Sequence, residues 1–186
     1  MGRKIALLLI IVGLIVISKS GYKIYQMKAH QDHSIATAHH LLEKPKIDKE
    51  TFSPFTGDVV GILSIPRIDK ELPIVEGTDE NDLAKGVGHY TGTAWPLGND
   101  QIVLSGHRDT VFRRMGELKI GDELIVKVPY GDFTYKIEST KVVDAGDRTV
   151  IKPTSPEEIL TVTTCYPFRY VGNAPKRYII TAKPVR

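Results

Sequence analysis

Ile159-Leu160-Thr161-Val162-Thr163-Thr164-Cys165 is an apolar, β-branched run closed by hydroxyl residues and by the only cysteine of the chain. Threonine, valine and isoleucine favour a half-buried pleated surface, so the run reads as a strand. Its last residue carries a thiol. A lone cysteine has no internal disulfide partner, and at a strand end it presents its sulfur from a rigid scaffold. A thiolate is the reactive form, so a working cysteine needs a base and a charge nearby. Two groups in the chain have that chemistry: His107, in Leu104-Ser105-Gly106-His107-Arg108, and Arg177, before Tyr178-Ile179-Ile180. Imidazole can take the thiol proton and later return it to a leaving amine. Guanidinium stays charged and can stabilise an oxyanion. The twelve-residue step from Cys165 to Arg177 (177 − 165) suits adjacent antiparallel strands joined by a long loop. On chemistry alone an inert, buried cysteine remains an equal reading.

Working outward, the texture from Gly57 onward is that of short strands. Val59–Ile65 stops at Pro66, and Leu72–Val75 reads as a short edge strand. Asp79–Lys85 predicts one or two helical turns capped by Thr78 or Asp79. Gly86–Tyr90 and Gln101–Ser105 follow as strands, then Glu123–Val128 and Phe133–Val143 as a hairpin about Tyr130-Gly131-Asp132. Ser155–Glu158 predicts a capped helical turn, and Tyr178–Ala182 a last strand. About eight short strands with one or two short helices point to a mainly β, closed or nearly closed barrel.

The N-terminus has a different character. Arg3 and Lys4 precede an unbroken apolar run, Ile5–Ile17. It is shorter than the roughly 20 residues of a usual span, but Ser18 to Tyr22 extend it, Lys19 can snorkel, and Tyr22 and Tyr25 sit at interfacial positions. The organisation expected is a membrane anchor over residues 1–22 with a cytoplasmic N-terminus, a partly helical linker over 23–56 near the cleft, and a catalytic domain over 57–186. A cleaved signal peptide is the competing reading, since Ser18-Lys19-Ser20 has suitably small residues. Either way the domain is exported.

The net charge of +3, from 25 Lys and Arg against 22 Asp and Glu, gives no case for nucleic acid. Four histidines of the linker, His30, His33, His39 and His40, lack the Cys or carboxylate that would complete a ligand set, so no metal and no cofactor is expected. His89 reads as a structural strand histidine and Trp95 as a packed loop anchor. Arg108 and Arg169 read as surface arginines without a specific role.

Thr161-Val162-Thr163-Thr164-Cys165 resembles the Thr-Leu-x-Thr-Cys signature of the sortases, with valine where that signature prefers leucine. Leu104-Ser105-Gly106-His107-Arg108-Asp109 is similar to the sortase histidine segment, and Arg177-Tyr178-Ile179-Ile180 lies in the order the family requires. The resemblance covers roughly residues 55–184. It implies an eight-stranded sortase barrel behind an N-terminal membrane helix. It implies that Cys165 attacks the Thr–Gly or Thr–Ala carbonyl of a Leu-Pro-x-Thr-type sorting signal near the C-terminus of a secreted protein. His107 would protonate the leaving amine, and Arg177 would stabilise the oxyanion. Ser105, Thr163 and Thr164 would line the substrate site. An amine of a cell-wall precursor or a pilin lysine would resolve the thioacyl enzyme. His-Arg-Asp-Thr and Cys-Tyr-Pro-Phe resemble class D members, and the chain ends two residues after Pro184 without a second membrane segment. Ser53-Pro54-Phe55 lacks the acid of the pilin-sortase lid, and Glu157 and Glu158 read as a solvated helix face rather than a calcium site. A hydrolytic cysteine peptidase and a membrane-anchored binding module are the rival readings. An L,D-transpeptidase is disfavoured because its His-Gly-Cys type signature is absent.

Overall fold

The computed structural model describes residues 2–168 and 172–185; Arg169 lies outside them. Eight strands close into a barrel: β1 (Val59–Ile65), β2 (Lys70–Glu76), β3 (Val87–His89), β4 (Gln101–Gly106), β5 (Glu123–Val128), β6 (Gly131–Asp144), β7 (Ile159–Tyr166) and β8 (Lys176–Pro184). Their order around the barrel is β1-β2-β3-β4-β7-β8-β6-β5, and β5 returns to β1. The pairs β2–β3 and β4–β7 are parallel, the remainder antiparallel. Most strands carry runs of buried residues, and β5 and part of β6 alternate between core and solvent. In β6, Tyr135 and Ile137 are buried while Lys136 and Glu138 between them are exposed. Inward residues such as Leu63, Ile74, Leu104, Leu124, Leu160 and Ile180 fill a single core.

Three expectations are corrected. The segment around Leu72–Val75 is not an edge strand, because closure places β2 between β1 and β3. The β5–β6 turn is at Pro129 and Tyr130, since Val128 pairs with Gly131. Ser155–Glu158 forms no helix. The Glu157 N–H closes a single turn on the Thr154 carbonyl (2.9 Å) before β7 begins. Its carboxylates are also engaged: Glu157 pairs with Lys183 at 2.7 Å, and Glu158 accepts from the Tyr135 hydroxyl at 2.7 Å.

The short helix α2 (Glu80–Lys85) starts where expected. The Asp79 side chain accepts from the Asp82 N–H (2.9 Å), and Asp82 reciprocates to the Asp79 N–H (3.3 Å). The long helix α1 (Gly2–Leu42) runs unbroken from the apolar N-terminus into the segment read as a linker. Residues 5–17 are exposed apart from half-buried Gly13, and the helix is long and apolar enough to cross a membrane. Further on, Met27, Gln31, Ser34, Ala38 and Leu41 fall at steps of three and four, and these positions lose exposure against β1, β2 and α2. Ser34 and Ala38 are the most buried, because small side chains let the helix axis approach the sheet. One N-terminal apolar helix of this kind is consistent with a single membrane anchor.

Candidate active site at the open end of the β4–β7–β8 sheet

The parallel β4–β7 ladder ends at the pair Gly106–Thr164. One residue further, Cys165 leaves β4 behind and pairs across the antiparallel ladder with Arg177 of β8. Residues directly opposite in such a ladder share a face, with Cβ atoms about 5 Å apart. Thr164 points the other way. It is buried, and its hydroxyl donates to the Gly106 carbonyl at 2.7 Å. The hydroxyl thus ties the end of β7 to the end of β4, one residue before both Cys165 and His107.

The backbone turns sharply after Gly106. The His107 carbonyl accepts from the N–H groups of Phe112 (3.0 Å) and Thr110 (3.4 Å), and Phe112 is sunk completely into the core. Glycine is required at 106: a Cβ there would meet the Phe112 ring at 2.6 Å. The anchored turn leaves His107 half-buried at the barrel rim.

His107, Arg108, Asp109, Cys165, Gly172, Asn173, Ala174 and Arg177 line one open cleft of about 300 Å³. Cys165 is partly exposed and lines this cleft, so it is not a fully buried core cysteine. The Arg177 guanidinium is hooked onto the carbonyls of Ala174 (3.3 Å) and Lys176 (3.0 Å) through Nη1. Five N–H donors in a fixed fork leave others free to face the cleft. Among the described residues no hydrogen bond joins His107, Cys165 and Arg177 to one another. Catalytic hydrogen bonds of this kind often tighten only when substrate binds. The arrangement can supply a nucleophile, a proton carrier and a fixed positive charge to one bound carbonyl.

Of the other expected site residues, Thr163 lies on the half-buried face of β7 shared with Cys165, and Ser105 pairs with it across the ladder. Neither lines the cleft, and no Ser105 hydrogen bond braces the imidazole among the described residues. No residue of 23–56 lines the cleft. Ser53 and Pro54 instead border a separate groove beside Leu41, Val59 and Pro129. No cluster of three metal-ligating side chains occurs among the described residues.

Three features went unread in the sequence. Arg108 is not an idle surface residue: it donates to the carbonyls of Pro167 (3.3 Å) and Gly172 (2.8 Å). Asp109, Gly172 and Asn173 form the cleft rim. His89 is structural as expected, but its partner Glu76 lies thirteen residues earlier, at 2.6 Å and equally buried. The Thr93 hydroxyl donates to the Tyr90 carbonyl, so its oxygen can only accept from His89 Nε2, as does the Ala94 carbonyl. That fixes a proton on Nε2 and turns Nδ1 to the carboxylate. Trp95 stacks on this imidazole at 3.8 Å between ring centroids and meets Phe52 edge-on at 5.2 Å.

The sortase domain model matches residues 63–185. The chain belongs to the sortase family. This sortase is 48% identical to Sortase D of Bacillus subtilis (strain 168) over the full length of both chains. It is 24% identical to Sortase A of Bacillus anthracis, over 95% of this chain and 90% of that one. Among solved structures, a Sortase D5 transpeptidase of Clostridium perfringens superposes with a TM-score of 0.73 at 25% identity, covering 85% of this chain and 99% of that one. Sortase C1 of Streptococcus suis gives 0.64 at 25% identity, over 70% and 74%. The fold and these relatives support transpeptidase-type or cysteine-protease-like enzymatic chemistry in general.

Proposed function

We propose that this sortase is a membrane-anchored transpeptidase in which Cys165, His107 and Arg177 act on one peptide bond. The observation that carries the reading is the cross-strand pair of Cys165 with Arg177, in a cleft that His107 also lines. The Cys165 thiolate attacks the threonine carbonyl carbon of a Leu-Pro-x-Thr-Gly or Leu-Pro-x-Thr-Ala signal on a secreted protein. A C–S bond forms and the carbonyl electrons move to oxygen, where the Arg177 guanidinium opposes the developing charge. The C–N bond then breaks, and protonated His107 delivers its proton to the leaving amine. An acceptor amine of a cell-wall precursor attacks the thioacyl carbon. Its proton passes to His107 as the thiolate leaves, which restores the starting pair.

The domain organisation follows from this reading: an anchor over residues 1–22, a connecting segment over 23–56 and a catalytic domain over 57–186. Arg3 and Lys4 ahead of the apolar run support a cytoplasmic N-terminus, with the barrel on the outer face. Substrate and acceptor both occur there.

The test uses the full chain in detergent micelles with quenched Leu-Pro-x-Thr-Gly and Leu-Pro-x-Thr-Ala peptides and an added amine, with mass spectrometry of the products. A threonine–amine adduct that disappears in Cys165→Ala supports transpeptidation. Hydrolysed product alone at saturating amine would favour a cysteine peptidase. Equal turnover by Cys165→Ala would refute both.

A further inference from the structure

The imidazole of His107 has no hydrogen-bond partner among the described residues, so its position in the cleft it shares with Cys165 depends on what holds its neighbours. Both neighbours are tied to the chain that carries the cysteine. On the inner side, the carbonyl of Gly106 accepts from Thr164, the residue before Cys165. On the outer side, Arg108 donates through Nη1 to the carbonyl of Pro167, two residues after Cys165 (167 − 165), and through Nη2 to the carbonyl of Gly172. The residue before the histidine is thus fastened to the residue before the cysteine, and the residue after it to the chain beyond. We infer that Arg108 is a positioning residue whose guanidinium fork holds His107 in register with Cys165. This rests on the reading of those two residues as a working pair.

The physical case lies in the geometry of the fork. A planar guanidinium reaches two carbonyls at once with little further loss of freedom, whereas an ammonium is a point donor on a flexible stem. The inner tie is a buried side-chain bond and constrains β4 only up to Gly106. Beyond it the chain turns at the rim, where Arg108 supplies a side-chain tie across the cleft to the β7–β8 connection. A shift of about 1 Å between reacting groups can cost on the order of a hundredfold in rate.

The experiment compares wild type, Arg108→Met, Arg108→Lys and His107→Ala as full chains in detergent micelles, with thermal unfolding recorded for each. The first readout needs no substrate: the rate of Cys165 alkylation by iodoacetamide across the neutral pH range. The alkylation profile of Arg108→Met is expected to depart from that of wild type toward that of His107→Ala, without a matching loss of melting temperature. In peptide cleavage, kcat is expected to fall about tenfold or more in Arg108→Met while KM changes little. Arg108→Lys should recover only part of it. A wild-type alkylation profile in Arg108→Met overturns the inference, as does full rescue by lysine, which would assign the effect to charge alone. Failure of wild type to cleave any peptide would count against the proposed function, whereas the alkylation result tests Arg108 separately.

Discussion

Cys165 and Arg177 stand directly opposite each other across the β7–β8 ladder, one register step beyond the Thr164–Tyr178 pair and outside the last β4–β7 contact. The sheet itself therefore sets the separation of thiol and guanidinium, with no loop in between. Tyr178 carries the ladder inward from there. It stacks with Tyr166 (centroids 6.2 Å apart) and meets Phe168 edge-on at 5.2 Å, which stiffens the strand ends beneath the cleft.

Replacing Arg177 tests the proposed oxyanion role. Arg177→Ala is expected to lower kcat by about a hundredfold to a thousandfold, the usual loss for one oxyanion donor. Arg177→Lys should remain well below wild type, because a lysine cannot donate to the Ala174 and Lys176 carbonyls and to substrate in the same fixed plane. Steady-state kinetics with melting temperatures would decide it. Near-normal kcat in Arg177→Ala removes the residue from the mechanism.

Thr164→Val keeps the shape of the side chain and deletes its hydroxyl. The buried Gly106 carbonyl then loses its 2.7 Å donor, at a cost of about 1–3 kcal/mol in denaturant unfolding. Activity should fall as well, since that bond registers the end of β4 against the end of β7. Unchanged stability would mean that the carbonyl finds another partner.

Neither Glu76 nor His89 lines the cleft, and the buried pair should behave as a fold element. Glu76→Ala leaves a buried imidazole without its Nδ1 partner and the Thr91 hydroxyl without its 2.8 Å acceptor. A loss of about 3–5 kcal/mol is expected, as for removing one member of a buried pair. Chemical denaturation measures it. Because Glu76 is outside the cleft, protein that remains folded should keep the wild-type KM; an altered KM would connect this pair to substrate binding.

Asp100 sets an acid limit on stability. Hydrogen bonds from the backbone N–H groups of Thr154, then Gln101, hold its carboxyl below the ordinary aspartate value of 3.8, with burial opposing them. A folded value below the unfolded one means stability that is fully present above pH 3.8 and drains as the pH falls through the lower folded value. Asp100→Asn should melt lower than wild type at neutral pH and lose less on acidification. Melting temperatures along an acid series would show it, and parallel curves for the two proteins would contradict it.

Much of the barrel was legible because short apolar, β-branched runs stop at turn residues, with two-residue alternation clear in β5 and part of β6. The same pattern could not say that β2 is internal, since a short strand with a proline reads alike at an edge and inside a closed barrel. Nor could it show that the segment after Tyr25 stays helical. The stripe of Met27, Ser34 and Ala38 is mostly weakly apolar, and it becomes a docking face only against β1 and β2. The turn at Ser155–Glu158 carried the residues of a helix cap, but β7 starts too soon for a helix to follow.

The sequence by itself determined the chemistry available: one thiol on a strand end, a histidine after Ser-Gly, an arginine opening the last strand, and an apolar N-terminus behind two basic residues. Those follow from residue type and local period, which are properties of short stretches. Tertiary structure alone decided that Cys165 faces Arg177, that Thr164 turns inward to Gly106, that Arg108 spans to Pro167 and Gly172, and that Glu76 meets His89. These join residues twelve to sixty-four positions apart in the chain. Their partners are chosen by strand register and barrel closure, and no local pattern encodes either.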